Sequence, residues 1–419
     1  MTARPAILAI ACAMLVGVAN AQAPQPTERI TLEQAIAAAL QHNQALLAAR
    51  TTVQQSEADE ITANLRPNPG LSADWQGLPL SRPSQGGYLD GTQVDVGLSY
   101  LFERADKRAR RLEAAKAASA VTRSQVADGE RALTFQVASQ FIAAELAEST
   151  LELARDNLKS FVQAVDIAED RFRSGGMSEN DYLKIKLQLL QFQTDVEQAQ
   201  LARAQALADL RQLVGYNAIS ANYDVSGAFE YAQLNLKLED LQKLASQHRA
   251  DLRAAAQSVA AAQAQHTLAD ANGTQDVTVS GTYSRSGGVG TAALGLSIPL
   301  AIFDRNQGEI RKTSIAVTQA QHQAAEVTGQ AMTDVGDAYE ALQRSQRVVE
   351  YYRSGYLELS RKSREISEYA YRRGVTSLFD FLDAERAYRA TQLGYRQALA
   401  DYLLAVEQVR QSTGTRTLP

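Results

Sequence analysis

The sequence predicts a mainly α-helical protein with a small β part, built from two repeats, and proline placement is the first reason. The nine prolines of the 419-residue chain lie at positions 5, 24, 26, 67, 69, 79, 83, 299 and 419. Because proline breaks helix interiors, the proline-free intervals 84–298 and 300–418 are permissive for long helices. Both intervals are rich in strong helix formers, and their apolar residues recur at steps of three and four.

An internal repeat is the second reason, because the later half of the chain copies the earlier half about 200 residues further on. Segments match in the same order: 32–49 with 238–255, 101–108 with 302–309, 172–186 with 371–385, and 210–215 with 409–414. The conserved order predicts two structural repeats, 22–237 and 238–419.

Alternating polar and apolar residues are the third observation, because they predict two β-hairpins. The predicted strands cover about 71–80 and 93–101 in the first repeat, and 276–284 and 292–300 in the second. Their length suits tilted membrane-spanning strands, although a small soluble sheet with one buried face remains an alternative. Aromatic residues compatible with interfacial girdles are Trp75, Tyr88, Tyr100, Phe102, Tyr283 and Phe303.

The helices follow from the remaining segments of each repeat. The first repeat has predicted helices at 31–66, 103–174 and 178–215, followed by an equatorial segment at 216–237. The second has predicted helices at 238–272, 306–373 and 377–414, followed by a C-terminal tail. At 1.5 Å per residue each long helix measures roughly 100 Å, and one return helix plus one leading helix matches that length. Such rods need lateral burial, and four strands cannot close a barrel, so we expect oligomerisation.

The N-terminus, residues 1–21, is predicted to be a secretory signal peptide. Arg4 precedes an apolar stretch at 6–19, and Ala-Asn-Ala at 19–21 fits the cleavage rule, which makes Gln22 the expected mature start. Cys12, the only cysteine, comes too early for a lipoprotein signal, so we predict no lipid anchor.

Composition and motifs exclude several function classes. The formal net charge of −5 gives no basic footprint for nucleic acid. We find no nucleophile motif, phosphate-binding loop or zinc signature, so we predict neither an enzyme nor a cofactor or bound metal. His42 and His248 occupy equivalent repeat positions, which indicates packing or capping.

The chain resembles the outer-membrane efflux protein family, the TolC-like channels, over about residues 30–414. The resemblance is carried by LRPNPGL (65–71), SIPLAIFDRNQGEI (297–310) and two glycine turns. It implies that a homotrimer forms a twelve-stranded barrel and a periplasmic helical tunnel in outer-membrane lipid. It also implies two partners in a tripartite efflux pump, a periplasmic adaptor (membrane fusion) protein and an inner-membrane RND-type transporter.

The residue sequence of 297–310 is most similar to that of the heavy-metal branch of the family, which exports cobalt, zinc, cadmium or copper. Drug or solvent efflux and type I secretion are alternative roles for such a channel. A trimeric structural stalk or adhesin is an alternative of another class, although two hairpins interrupting two helical repeats do not suit a stalk.

The resemblance also assigns candidate functional residues. The adaptor-docking tips are Gly175, Gly176, Ser178, Gly374 and Ser377. The periplasmic gate residues are Asp380, Asp383, Tyr371 and Asp181, for which solvated helix-start carboxylates are the alternative interpretation of the aspartates. The residues at the junction of barrel strand and tunnel helix are Phe303, Asp304, Arg305, Asn306, Gln307 and Gly308.

Overall fold

The computed structural model describes residues 28–78 and 91–419. The predicted signal peptide, with Cys12, lies outside the described residues, and so does Tyr88.

Each repeat contains two short helices, a pair of strands and a long helical hairpin. The first repeat consists of β1 (Glu28–Ile30), α1 (Leu32–His42), α2 (Gln44–Ala63), β2 (Gly70–Gln76), β3 (Gln93–Phe102), α3 (Lys107–Arg173), α4 (Glu179–Val214) and β4 (Tyr223–Val225). The second consists of α5 (Leu238–His248), α6 (Ala250–Asn272), β5 (Val277–Ser286), β6 (Val289–Ser297), α7 (Gln307–Tyr351), a π-helical turn (Tyr352–Tyr356), α8 (Leu357–Arg372) and α9 (Leu378–Thr413). The predicted fold class, mainly α with a small β part in two repeats, is confirmed.

The leading helices are each broken once, which corrects the single helices predicted at 31–66 and 238–272. Asn43 and Arg249 interrupt them in an extended conformation. The Asn43 Oδ1 atom accepts a hydrogen bond from the Leu46 N–H at 3.0 Å and so caps α2. The Arg249 guanidinium is held by Asp251 and Asp334 instead.

The second long helix is also interrupted, which corrects the continuous helix predicted at 306–373. Gly355 in the π-helical turn has φ 132°, a conformation open to glycine but strained for other residues. The first long helix has no such break, but it begins at Lys107 rather than at residue 103. Ala105 and Asp106 adopt left-handed conformations there, which turns the chain from strand to helix.

The main sheet has four antiparallel strands in the order β2-β3-β5-β6. The strand predicted at 292–300 begins at Val289 instead, because Gly287 and Gly288 form a two-residue turn with positive φ. The strand predicted at 71–80 ends at Gln76, before Gly77 with φ 72°. Residues 298–306 separate β6 from α7, so strand and helix do not join directly in the second repeat.

A second sheet lies in the equatorial region, where the sequence predicts no strand. The three-residue strands β1 and β4 pair in parallel, with Ile30 opposite Val225. Their side chains join a core that α1, α3 and α4 build, in which Phe141 and Leu210 are fully buried. A matching core of α5, α7 and α9 contains Leu342 and Val409.

Below the equator the helices form one lateral row. α4 packs against α3, α3 against α9, and α9 against α8. The outer members of this row are therefore α4 and α8, and the turns that end the two helical hairpins lie side by side. Within residues 28–78 and 91–419, no helix combines the length and apolarity needed to cross a membrane.

Candidate functional site

The first hairpin tip, residues 174–178, is a glycine turn followed by a serine cap. Gly175 has φ 76°, and the Gly176 N–H donates to the Arg171 carbonyl oxygen at 2.8 Å, which closes the end of α3. Ser178 Oγ accepts from the Asp181 N–H at 3.2 Å and so caps α4. The turn is set by local chemistry that the sequence predicts.

The second tip repeats this arrangement with a stronger cap. Gly374 has φ 75°, and Ser377 Oγ accepts from the Asp380 N–H at 3.2 Å. The Asp380 carboxylate in turn accepts from the Ser377 hydroxyl at 2.7 Å and from the Thr376 hydroxyl at 2.9 Å. These hydrogen bonds hold the pKa of Asp380 below its usual range. Asp380, predicted as a gate residue, is therefore an ionised member of a capping box.

Tyr371 and Asp181, the other predicted pair, line the same cavity but do not bond to each other in the described part of one chain. Tyr371 is only 3% exposed and stacks on Phe381 with ring centroids 5.1 Å apart. Burial is the main cause that raises the pKa of Tyr371, and the nearby negative charge of Asp181 raises this pKa further. The Asp181 carboxylate accepts from the Ser178 hydroxyl at 2.9 Å instead.

Several arginine side chains connect the two hairpins. Arg171 of α3 donates to the Tyr371 carbonyl oxygen at 2.8 Å. Arg389 of α9 pairs with Asp195 of α4, and Arg396 of α9 donates to the Ser149 carbonyl oxygen at 3.1 Å. The sequence could not identify these links, since each joins residues of the two repeats that lie 194 to 247 positions apart.

A cavity of ≈ 1030 Å³ opens between the two tips. Its walls combine charged and apolar side chains, including Lys184 and Leu187 from α4 and Phe379 and Arg386 from α9. Asp383 lies on the exposed side of α9 and is not among the lining residues. The four predicted gate residues are thus close in the fold, but they face different surroundings.

Glu385 is a buried titratable residue of the tip that the sequence prediction missed. It is 5% exposed, and its carboxylate lies 3.4 Å from the Arg364 Nε atom of α8. Burial raises the pKa of Glu385. The sequence contained a signal for this burial, because Glu385 follows the buried Phe381 by four residues and residues so spaced share one helix face.

Metal-ligating residues do not gather into groups in the described ranges. Within residues 28–78 and 91–419, no group of three or more His, Cys, Asp or Glu residues could hold a metal ion.

The junction residues of the second repeat form a network of turns. Asp304 Oδ1 accepts from the Asn306 N–H at 2.8 Å, and Asn306, with φ 63°, donates from Nδ2 to the Ala269 carbonyl oxygen at 2.7 Å. Gln307 Oε1 accepts from the Arg305 N–H at 2.7 Å. The Phe303 ring is 89% exposed, and Gly308 has open space around it.

Two repeats of helix, β-hairpin and long helical hairpin define a protomer of the TolC-like channel class. The chain belongs to the outer membrane efflux protein family, whose model matches residues 35–216 and 241–415.

Relatives of known sequence or structure agree with this membership. Nodulation protein T of Rhizobium leguminosarum bv. viciae is 26% identical over 407 residues, covering 92% of this chain and 82% of that protein. The CusC structure superposes with a TM-score of 0.78 at 19% identity, covering 93% of this chain and 94% of CusC. The outer membrane protein VceC of Vibrio cholerae superposes with a TM-score of 0.75 at 19% identity, covering 92% and 96%. At such identities the structural likeness concerns the fold.

Proposed function

We propose that three copies of this chain form one continuous duct across the outer membrane and the periplasm. The open sheet carries the proposal, because its outer strands β2 and β6 are exposed along their whole length. Open strand edges are not tolerated in lipid, so another chain must pair with them. Three copies of a four-stranded sheet give a closed barrel of twelve strands, a size that outer-membrane barrels adopt.

The sides of the helical row support the same assembly. Leu183, Leu187 and Leu190 form an exposed apolar ridge on α4, with helical spacing of three and four. On α8, at the opposite end of the row, Leu359 and Ile366 are exposed. A neighbouring copy that places its α8 against α4 covers both apolar faces and continues the row into a tunnel.

Engineered disulfides test the assembly directly, because the only native cysteine, Cys12, lies in the predicted signal peptide. One cysteine is introduced along β2 and one along β6, in a panel that samples several registers. We expect oxidation to give covalent trimers on denaturing gels. The control pair, Thr282→Cys with Ala293→Cys, lies opposite in β5 and β6 of one chain and should give monomers. Monomers throughout the β2–β6 panel contradict the trimer.

The duct is proposed to be the passive outer component of a tripartite pump. A periplasmic adaptor protein docks at the two tips, around Gly175, Gly176 and Ser178 and around Gly374 and Ser377. An inner-membrane RND-type transporter supplies the energy. The side-by-side position of the two tips supports this, since one adaptor surface can contact both. Lys or Arg introduced at Gly176 should abolish pump-dependent resistance while the trimer still forms, and unchanged resistance contradicts docking there.

The narrow mouth of the duct is proposed to lie at these tips. Three copies of Asp380 and Asp383 would surround it with carboxylates, which attract cations. The ionised state of Asp380 supports this role. Tyr371 and Asp181 would make closing contacts across the cavity between the hairpins.

Divalent heavy-metal cations are the proposed cargo, on the strength of the 297–310 motif. Deleting the gene should sensitise cells to cobalt, zinc, cadmium or copper salts, and a plasmid copy should restore resistance. Sensitisation to hydrophobic drugs alone contradicts the metal cargo but leaves the duct intact.

A further inference from the structure

A cavity of ≈ 380 Å³ lies where β3 gives way to α3. Tyr100 and Phe102 line it, with ring centroids 4.8 Å apart in an edge-to-face arrangement. Arg66, from the segment before β2, and Arg108, from the first turn of α3, line it as well. The cavity therefore combines aromatic rings with guanidinium groups from two separate segments.

The two arginines have no ion pair or hydrogen bond with any side chain in residues 28–78 and 91–419. The other charged groups around the cavity are mostly neutralised. Lys107 pairs with Asp276 at 2.8 Å, and Glu103 pairs with Arg111. Among the residues that the structure describes, Asp106 is the remaining charged group of the lining without a partner, so two unpaired cations face one unpaired anion there.

An exposed apolar row leads along β3 to this cavity. Val96, Leu98 and Phe102 are exposed on one face of the strand, and Tyr100 lies on the same face. The seven residues from Val96 to Phe102 are separated by six steps and span about 20 Å at the usual strand rise. Half of a bilayer's hydrocarbon core is about 15 Å, so the row is long enough to accompany one lipid tail.

We propose that this cavity binds the phosphate headgroup of an anionic phospholipid in the periplasmic leaflet, with its acyl chain lying along the apolar row of β3. The inference rests on the proposed placement of the sheet in the outer membrane, and it names the lipid chemistry at the membrane's inner edge. Arginine suits phosphate because its guanidinium donates two parallel hydrogen bonds. Aromatic rings at this depth match the interfacial position that tyrosine and tryptophan favour in membranes.

The second repeat supplies an internal contrast. At its junction Glu309 stands where Arg108 stands in the first repeat, according to the 101–108 and 302–309 match. Phe303 retains the aromatic position of Phe102, yet the arginine is absent. The site is therefore expected once per chain.

Native mass spectrometry of the purified full-length chain in detergent tests the site by counting retained lipids. The probes are dioleoylphosphatidylglycerol and dioleoylphosphatidylcholine, and the variant is Arg66→Gln with Arg108→Gln. We expect wild type to retain one phosphatidylglycerol per chain in preference to phosphatidylcholine. Each lost arginine should weaken retention about fivefold at low salt. Asp106→Asn should strengthen retention, because it removes the one free anion.

Arg110→Gln is the matched control, since Arg110 lies in the same helical turn but pairs with Glu113 at 2.9 Å. It should retain phosphatidylglycerol as wild type does. Equal retention of both lipids by wild type, or unchanged retention by the double variant, overturns the site. Circular dichroism confirms that each variant is folded.

Inorganic phosphate distinguishes a lipid site from a free phosphate site. If millimolar phosphate displaces phosphatidylglycerol completely and binds alone, the lipid assignment is overturned. Single-channel conductance of wild type in pure phosphatidylcholine bilayers tests the duct separately. A conducting channel without lipid preference rejects the site alone, whereas a chain that neither conducts nor forms covalent trimers in the β2–β6 cysteine panel rejects the duct.

Discussion

Arg389 of α9 forms an ion pair with Asp195 of α4 and thereby ties together two hairpins whose paired residues lie 194 positions apart. The Arg389 guanidinium also lies over the Phe192 ring, 4.3 Å from its centroid. Both charged side chains are about one-fifth exposed. The pair separates the cavity at the tips from a smaller one of ≈ 320 Å³, and both cavities include Arg389 in their walls.

The first prediction is that Asp195→Asn loosens the two hairpins relative to each other. The substitution leaves a mostly buried guanidinium without its charged partner, which typically costs about 1–3 kcal/mol. Hydrogen exchange measured by mass spectrometry should show faster exchange in α4 and α9 near the tips. Arg361→Gln is the control, because its pairs with Glu358 and Glu365 are exposed and contribute little. Equal exchange in both variants would show that the ion pair does not hold the hairpins.

The second prediction concerns the proposed mouth of the duct and uses Asp383→Asn. Three carboxylates at a narrow mouth should bind divalent cations, so their neutralisation should weaken cation block of single-channel current. Asp401→Asn is the control. Asp401 follows Asp383 by 18 residues, which are five helical turns, so both residues lie on the same face of α9 but Asp401 is further from the tip. Unchanged block in Asp383→Asn, or an equal change in Asp401→Asn, removes Asp383 from the mouth. Asp380→Ala is less suitable, because it also removes a capping box.

The two helix breaks show what the sequence could and could not predict about the fold. Asn43 is a good capping residue, so a break there was readable from local chemistry. Arg249 is not a capping residue, yet it occupies the equivalent position of the second repeat. Asn43 donates to the Leu213 carbonyl oxygen at 2.8 Å, and Arg249 donates to the Ser412 carbonyl oxygen at 3.2 Å. Leu213 and Ser412 occupy equivalent positions of the two repeats. The two repeats therefore make the same long-range contact with different side chains, Asn43 and Arg249.

The candidate site likewise has a part that local sequence patterns predict and a part that they do not. Glycine turns and serine caps depend on neighbours within five residues, so the sequence predicts Gly175, Ser178, Gly374 and Ser377 in their observed conformations. The link between Arg389 and Asp195 depends on how two repeats pack, which no local pattern encodes. The short strands β1 and β4 were also unpredictable, because three residues carry too little periodicity.

The third prediction is that Glu145 makes the equatorial region less stable as the pH rises. Its carboxylate packs against Gly227, and burial raises the pKa of Glu145 from 4.5 to about 7. The folded chain therefore binds the Glu145 proton more tightly than the unfolded chain does. Stability is lost as the pH rises from the unfolded pKa to the folded pKa. Glu145→Gln should raise the unfolding temperature relative to wild type. The difference between the two should grow from pH 4.5 to about 7 and stay constant above that pH.

Glu358→Gln serves as the contrast for this pH dependence. Hydrogen bonds from Arg361 lower the pKa of Glu358, so its ionised form is the one that the fold favours. Replacing it should lower stability slightly at neutral pH and not in acid, the opposite sign to Glu145. A Glu145→Gln shift that is independent of pH would show that the carboxyl does not titrate in this range.

The fourth prediction is that Gly355→Ala destabilises the second long hairpin, whereas Gly336→Ala does not. Gly355 has φ 132° in the π-helical turn, and a side chain there costs of order 1–3 kcal/mol through backbone strain. Gly336 lies within α7 with open space around it, so alanine should stabilise that helix by about 0.5–1 kcal/mol. Limited proteolysis and hydrogen exchange around residues 351–356 report on the turn directly. Faster cleavage and exchange are expected for Gly355→Ala only. If both variants behave alike, the alanine must be accommodated by a continuous helix, and the interruption between α7 and α8 would then not require glycine.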